Sequence, residues 1–363
     1  MKQRLISLDA FRGITIIGMI IVNTPGSWSY VYPPLRHADW NGLTPTDLVF
    51  PFFLFIVGVS IVLSLNKIKG NTDGKSKKPV VRKIIKRSMI LFGIGVLLNL
   101  IGSDFQYLRL PGVLQRIAIV YFVCALLYLH ASIRSQIITG ILILIGYFLA
   151  MTYIKVPGIN SEELLSKSNI ATWLDDQLIP FYLYQKTWDP EGILSTFPSI
   201  VTAILGMVTG NLIASSRKLS NKIAFIFIGG LVILIMGEIW SWFFPVNKNM
   251  WTSSYVLYTG GLAAITLSLL MLVIDQLKLR KWANPAIEFG SNAISAYILS
   301  NLVVIPAGII YINGQSLQEF YMNSLINLGV IPELASLIWA IVITIICYIP
   351  VKILYNKKIF IKV

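Results

Sequence analysis

Charge is scarce in this chain. Asp, Glu, Lys and Arg make up 13% of its 363 residues, against about 25% in a typical soluble domain. Cysteine and histidine are scarcer, at two each. Cys124 and Cys347 both fall inside apolar runs, which excludes a disulfide-stapled scaffold and reads as two buried thiols. The few His and Cys residues stand at no zinc-ligand spacing, so no metal is expected. A P-loop, a dinucleotide-binding glycine pattern and a nucleophile elbow are also missing. No segment repeats with a period of roughly 20–50 residues. The first apolar run, Phe11 to Val22, lacks a small-residue cleavage site and reads as a retained span, not a secretory signal.

Apolar residues fill the space. They make up 56% of the chain, and mean hydropathy is +0.74. Ten runs are long enough to cross a bilayer as helices: about 8–24, 45–66, 82–102, 111–131, 135–154, 193–215, 221–244, 253–275, 284–312 and 333–355. Pro306 and Gly308 interrupt the ninth. The fold class expected is an all-α polytopic membrane protein, a single domain over residues 1–363. Loops 25–44 and 155–192 form a small cap on the outer face.

Lys and Arg set the orientation. Assigning the loops alternately puts 22 basic residues on one side and 6 on the other. The basic side includes Lys2, Arg4, the Lys67–Arg87 stretch and Lys362. Both termini are therefore expected in the cytoplasm of a bacterial inner or plasma membrane. The net charge of +14 is thereby assigned to topology and anionic lipid. The basic residues are split among short segments without interleaved aromatics, which argues against nucleic acid. Gly70, Asn71 and Asp73-Gly74 mark a flexible cytoplasmic connection. The 155–192 segment carries Glu162, Glu163, Asp175, Asp176, Asp189 and Glu191.

Polar residues collect at the outer span ends. Asn23 closes the first span; His37, Asp39 and Asn41 follow in the loop; Asp47 opens the second. Asn99 and Asp104 end the third, and Gln115-Arg116 begin the fourth. Asp189 and Glu191 precede the sixth, Glu238 lies late in the seventh, and Asn247-Lys248-Asn249 follow it. Ionisable groups so near a bilayer are functional candidates. Each also has a plainer reading. Thr44-Pro45-Thr46-Asp47 spells a helix start with Thr44 as N-cap and Asp47 at the third position. Asp189-Pro190 forms turns. Trp28, Tyr30, Tyr32 and Trp40 suit an interfacial belt, and Tyr30 to Pro34 a rigid extended strap. Arg116 has Asp104 or Asp47 as potential partners. His130 is an interfacial residue, and Gly93, Gly95, Gly206 and Gly210 permit close helix packing. At the inner end of the first span, Asp9 and Arg12 share a helix face. They read as an internal ion pair or as a phosphate contact.

Several stretches resemble the heparan-α-glucosaminide N-acetyltransferase family of transmembrane acetyltransferases. They are Ser7-Leu8-Asp9-Ala10-Phe11-Arg12-Gly13; Arg36-His37-Ala38-Asp39-Trp40-Asn41-Gly42-Leu43; Asp47-Leu48-Val49-Phe50-Pro51-Phe52; Pro111-Gly112-Val113-Leu114-Gln115-Arg116; Asp189-Pro190-Glu191-Gly192-Ile193-Leu194; and Pro245-Val246-Asn247-Lys248-Asn249-Met250-Trp251. They occur in the family's order and cover most of the chain. The resemblance implies acetyl transfer from cytosolic acetyl-CoA to the amine of a terminal glucosamine across the membrane. It implies His37 as catalytic histidine and Asn23 as its partner. It also implies that an N-terminal luminal part and one span of the mammalian members are missing here.

The chemistry agrees with the residues. Amine acetylation needs a base, which His37 supplies near neutral pH, and a donor to the thioester oxyanion, which Asn23 supplies. Asp39 or Asp47 fixes the imidazole tautomer. Substrate contacts are expected from Asp39, Asn41, Asp47, Asp189, Glu191, Asn247, Lys248 and Asn249. Donor contacts are expected from Arg12, Asp9, Gln115 and Arg116. Direct transfer is favoured over an acetyl-His37 intermediate. The partners expected are acetyl-CoA, an amino-sugar glycan, membrane lipid and, as an assembly, a homodimer. The rivals are an O-acyltransferase of envelope polysaccharide and a secondary sugar or organic-acid transporter.

Overall fold

A computed structural model describes residues 5–70, 77–156, 169–186 and 188–361. The expected contributions of Lys2, Arg4, Asn71, Asp73-Gly74, Glu162, Glu163, Lys167 and Lys362 lie outside these residues. Among them the helices are α1 (Ile6–Asn23), α2 (Val49–Lys69), α3 (Lys78–Gly102), α4 (Val113–His130), α5 (Ile133–Tyr153), α6 (Ile170–Leu178), α7 (Ile193–Ala214), α8 (Leu219–Ser241), α9 (Ser253–Leu270), α10 (Asn284–Ser291), α11 (Ala293–Ile309), α12 (Leu317–Asn327) and α13 (Pro332–Asn356). Long apolar runs become helices because lipid offers no partner to a backbone amide, so each run must bond within itself.

Among the described residues nine helices are long and apolar enough to cross a membrane. They are α1, α3, α4, α5, α7, α8, α13, α2 with a 3-10 lead-in from Pro45, and α9 with a π-helical extension to Gln276. The ninth expected run, 284–312, is instead a bent pair. Helices α10 and α11 meet at 79°. The break falls at Asn292, not at Pro306 or Gly308. The Asn292 amide donates to Ile359 O at 3.1 Å and accepts from Ile361 N–H at 2.9 Å, clasping the chain beyond α13. Pro306 sits inside α11 near its C-terminal end without breaking it. After α11 comes a hairpin of β1 (Tyr311–Ile312) and β2 (Gln315–Ser316). Asn313 and Gly314 turn it with positive φ at both central positions.

The chain forms two compact units. One comprises Met1–Ala38, Thr44–Phe53 and Leu270–Val363; the other comprises Asp39–Leu43 and Leu54–Leu269. In the first, α1 lies on α10 at the closest backbone approach. A Cβ on Gly13 would stand 1.6 Å from Ala286 O, and one on Gly290 would stand 1.8 Å from Asp9 O. In the second, α2 meets α7 in the same way, with Gly58 against Ala203 and Gly206 against Phe55. Gly95 and Gly210 are also packed, but Gly93 faces open space and carries no packing role. Helices α3, α5 and α8 present exposed apolar side chains, among them Met89, Leu142 and Ile228, as a lipid-facing surface requires. Basic residues have local work as well. Lys69 and Lys77 donate to Ala131 O and Leu129 O, at 2.7 and 3.0 Å, where α4 ends. Cys124 and Cys347 are buried thiols.

The two glycine environments make a paired prediction. Gly58→Leu drives a Cβ to 1.9 Å from Ala203 O and should cost about 1–3 kcal/mol or more. Gly93→Leu has nothing to strike and should leave the thermal midpoint in detergent unchanged or slightly raised. Equal midpoints for the two variants would refute the packing assignment.

Candidate active site

Helix α2 starts where apolar sequence begins, and its first turn must satisfy backbone donors. Thr44 and Asp47 do this reciprocally. The Thr44 N–H donates to Asp47 Oδ2 at 3.0 Å, and the Asp47 N–H donates to Thr44 O at 3.0 Å. Asp47 is 1% exposed. The same carboxylate accepts Ala38 N–H at 3.1 Å and meets His37 Nδ1 at 2.6 Å. Asp47 is therefore both the cap and the histidine's partner; Asp39 is exposed on the loop. A carboxylate can only accept, so Nδ1 carries the proton and the neutral ring presents its lone pair at Nε2. The His37 side chain is 41% exposed. It is a half-exposed imidazole oriented by a buried carboxylate.

The surrounding loop is held by its own bonds. Arg36 Nε donates to Val31 O at 2.7 Å, and Thr46 Oγ1 to Pro34 O at 3.2 Å. The strap from Tyr30 is not wholly extended: Pro33–Leu35 forms a 3-10 turn. Asn23 is the last residue of α1 and is exposed.

In the other unit a second polar cluster gathers. Arg109 precedes α4. Its Nε and Nη2 donate to the two Asp189 oxygens at 2.7 Å each, and Nη2 also reaches Glu191 at 2.7 Å. Tyr184 N–H and Glu191 N–H donate to the same Asp189 carboxylate at 3.1 and 3.0 Å. Burial works against an ionised Asp189, but the Arg109 clamp and the amides outweigh it and hold the carboxyl below its usual range. Those two carboxylates raise Arg109 in turn, against its own burial. Asp175, on α6, accepts Ile193 N–H at 2.8 Å where α7 starts. Burial pushes Asp175 up to about 6.

Arg116 is 1% exposed, and the expected pairing with Asp104 or Asp47 is not what it makes. Its Nη2 meets Ser195 Oγ at 2.5 Å and Gly192 O at 3.3 Å, and its guanidinium stacks 5.1 Å from the Trp251 ring. Its Nε and Nη1, like the neighbouring Gln115 Nε2, are buried without a hydrogen-bond partner. Asn247 is fully buried; it donates to Asn41 Oδ1 at 3.1 Å and accepts Met250 N–H at 2.9 Å, shaping the turn that carries half-buried Lys248 and Asn249. Trp40 has a packing role besides the interfacial one expected of it. It packs edge-to-face on Trp188 at 5.2 Å, within an apolar cluster that includes Tyr147, Phe244, Met250 and Ile170 of α6. Of the expected cap loop, 157–168 and Thr187 lie outside the described residues.

At the far end of α1, Arg12 donates from Nη1 to Asp9 at 3.3 Å and to Gly290 O at 3.2 Å. Among the described residues no group of three or more His, Cys, Asp or Glu is placed to hold a metal ion.

Arg109, Asp175, Ser195 and Tyr184 escape a reading of the sequence as site residues. Arg109 counts there only as a topological charge, although a basic residue on the side that has so few of them is a signal. Its partner is 80 residues away.

Residues 4–243 match the family model described as heparan-alpha-glucosaminide N-acetyltransferase, catalytic. The human protein named heparan-alpha-glucosaminide N-acetyltransferase is 35% identical over 356 residues, covering 82% of this chain and 53% of that protein. The mouse protein of the same name is 31% identical over 421 residues, covering 99% of this chain and 61% of that protein. The chain thus spans about half to three-fifths of the length of these relatives. It belongs to this N-acetyltransferase family.

The clamp and the raised acid give two stability predictions. Arg109→Ala leaves buried Asp189 without its countercharge and should cost about 3–5 kcal/mol, with Arg109→Lys recovering part. Asp175 has its folded pKa raised from 3.8 to about 6, so the folded state binds the extra proton. Its contribution should therefore raise the thermal midpoint as pH falls from about 6 towards 3.8. Asp175→Asn keeps an acceptor for Ile193 N–H and should remove that slope. Asp189, shifted the other way, should lose its stabilisation only below its ordinary range. A wild-type slope unchanged by Asp175→Asn would refute the assignment.

Proposed function

We propose that this family member transfers an acetyl group from acetyl-CoA to the amine of a terminal glucosamine-type sugar, with His37 as general base. The reading rests on the 2.6 Å contact between His37 Nδ1 and Asp47 Oδ1, in a segment covered by the family match. The relatives' names supply the acceptor class.

The buried Asp47 holds the imidazole in the tautomer whose Nε2 accepts a proton, and it stabilises the imidazolium that results. The sugar nitrogen attacks the thioester carbonyl, and the nitrogen's proton passes to Nε2. The tetrahedral intermediate collapses with cleavage of the C–S bond, and the departing CoA sulfur takes up a proton. Asn23 donates its amide N–H to the oxyanion. Direct transfer needs no acetyl-His37, because an amine is already a competent nucleophile. For the donor's phosphates Arg12 is the better contact. Its side chain is 24% exposed, whereas Arg116 is sealed among Ser195, Gly192 and Trp251. The acceptor amine, His37 and the sparsely charged helix ends are read as extracytoplasmic, on the strength of the basic-residue asymmetry.

The test is acetyl transfer from acetyl-CoA to glucosamine by purified protein in detergent. His37→Ala should lower kcat by about 10²–10⁴. Asp47→Asn should lower it comparably by presenting the wrong tautomer. Folding is checked by thermal midpoint. Wild-type turnover by folded His37→Ala would refute the role of the histidine. Acetylation of N-blocked glucosamine would point to O-acyl transfer instead.

A further inference from the structure

Helix α3 buries one face and leaves the other open. Ile84, Ser88, Leu91 and Gly95 are buried, and Gly95 stands against Leu114 and Gln115 of α4. The opposite face is exposed, and its chemistry changes once along the axis. Lys78, Arg82 and Lys86 follow one another at four-residue steps, with Lys83 beside them. Beyond Lys86 the same face continues as Met89, Ile90, Gly93 and Leu97, all exposed. Residues three or four apart are surface neighbours on a helix. One face thus presents cations for about two turns and hydrocarbon for about the next two.

Topology alone accounts for basic residues beside a span, but these reach into one. The residues from Ser88 to Gly102 rise only about 22 Å, whereas a hydrocarbon core is about 30 Å thick. With Gly102 at the far boundary, Arg82, Lys83 and Lys86 stand within reach of the level where acyl chains meet phosphates. Other basic residues are occupied by the protein. Lys69 and Lys77 donate to carbonyls at the end of α4, and Lys222 donates to Ile213 O at 2.7 Å. Arg87 and Arg217 lie over the rings of Tyr121 and Phe225 at 4.7 and 4.8 Å. Arg82, Lys83 and Lys86 make no hydrogen bond or ion pair with the described residues. Exposed cations at headgroup level, continuous with an apolar row, match a molecule that is anionic at one end and hydrocarbon at the other. A soluble phosphate would leave the row unused, and a zwitterionic lipid would leave the cations without net countercharge.

We propose that this face of α3 is a binding site for an anionic diacyl phospholipid. Arg82, Lys83 and Lys86 hold the headgroup phosphate, and an acyl chain lies along Met89, Gly93 and Leu97. The site is independent of acetyl transfer, so its test needs no activity. Delipidated protein in neutral detergent is titrated with dioleoyl phosphatidylglycerol or dioleoyl phosphatidylcholine, and the thermal midpoint is followed. Phosphatidylglycerol should raise the midpoint at lower concentration than phosphatidylcholine. Equal protection by the two overturns the proposal.

Two triple variants separate a site from net charge. Arg82→Gln with Lys83→Gln and Lys86→Gln should weaken the apparent phosphatidylglycerol affinity about ten- to hundredfold, at about fivefold per cation. Lys278→Gln with Arg280→Gln and Lys281→Gln removes the same charge from the exposed segment after α9, and should change the affinity less than about threefold. Equal losses in the two would reduce the effect to net charge and overturn the site. Because the α3 variant could insert poorly, the wild type is also labelled with phosphatidylglycerol carrying a photoreactive diazirine on an acyl chain. Labels should map to α3 between Met89 and Leu97, and labels confined to other helices overturn the proposal. Two other occupants would do the same. One is CoA, seen as loss of the α3 label when CoA is added at equal concentration. The other is a second copy of the chain, seen as rapid disulfide crosslinking of Arg82→Cys in phosphatidylglycerol vesicles.

Discussion

Apolar surroundings make a polar group without a protein partner costly, and that constraint orders most of this molecule. Spanning segments become helices because nothing else satisfies their amides. Helices meet through glycines because close backbone contact is the packing gain that remains when lipid tails are as apolar as the side chains. Polar side chains are driven to the helix ends, where Asp47, Asp189 and Asn247 are tied into a cap, a clamp and a turn. A candidate catalytic group in such a protein must therefore be supported by structural bonds. Asp47 shows how: the bonds that start α2 are made by the same carboxylate that orients His37.

The two arginines of the second polar cluster answer that constraint differently. Arg109 spends its guanidinium on two carboxylates, one of them gripped bidentately, and the arrangement is nearly closed. Arg116 satisfies one nitrogen with a hydroxyl and a carbonyl and lays its plane on Trp251, leaving two nitrogens enclosed without a bond. Three carboxylates, on Asp175, Asp189 and Glu191, are close enough to act on it electrostatically. The cluster thus shares charge over several groups in place of pairing them one to one. Asp175 is the member that burial brings towards neutrality.

Much of this was legible in the residues. Nine of the ten expected spans are found as helices long and apolar enough to cross a membrane, because a run of apolar residues has only one way to bond its backbone there. The helix start at Thr44-Pro45-Thr46-Asp47 could be read as well, since its donors and acceptors lie within four residues. What could not be read is long-range. The bend in the ninth span depends on Asn292 finding Ile359 and Ile361, some 70 residues later, and Pro306 nearby was the louder local signal. Trp40 resembles a belt residue until Trp188 arrives from another segment. Arg109 was indistinguishable from a topological charge until Asp189 closed on it.

The double use of Asp47 bears on how precisely the base is aimed. A carboxylate held only by the histidine would rotate with it. This one is fixed independently, by the amides of Ala38 and Thr44 and by its own place in the first turn of a membrane helix. The carboxylate end of the pair is then fixed, and the imidazole is oriented through its Nδ1 contact with it. A half-exposed histidine would otherwise sample several rotamers, and each unproductive one dilutes the geometry needed for proton transfer. Anchoring the acid in a helix cap removes that dilution without burying the imidazole, as the proposed role of a base open to its substrate requires.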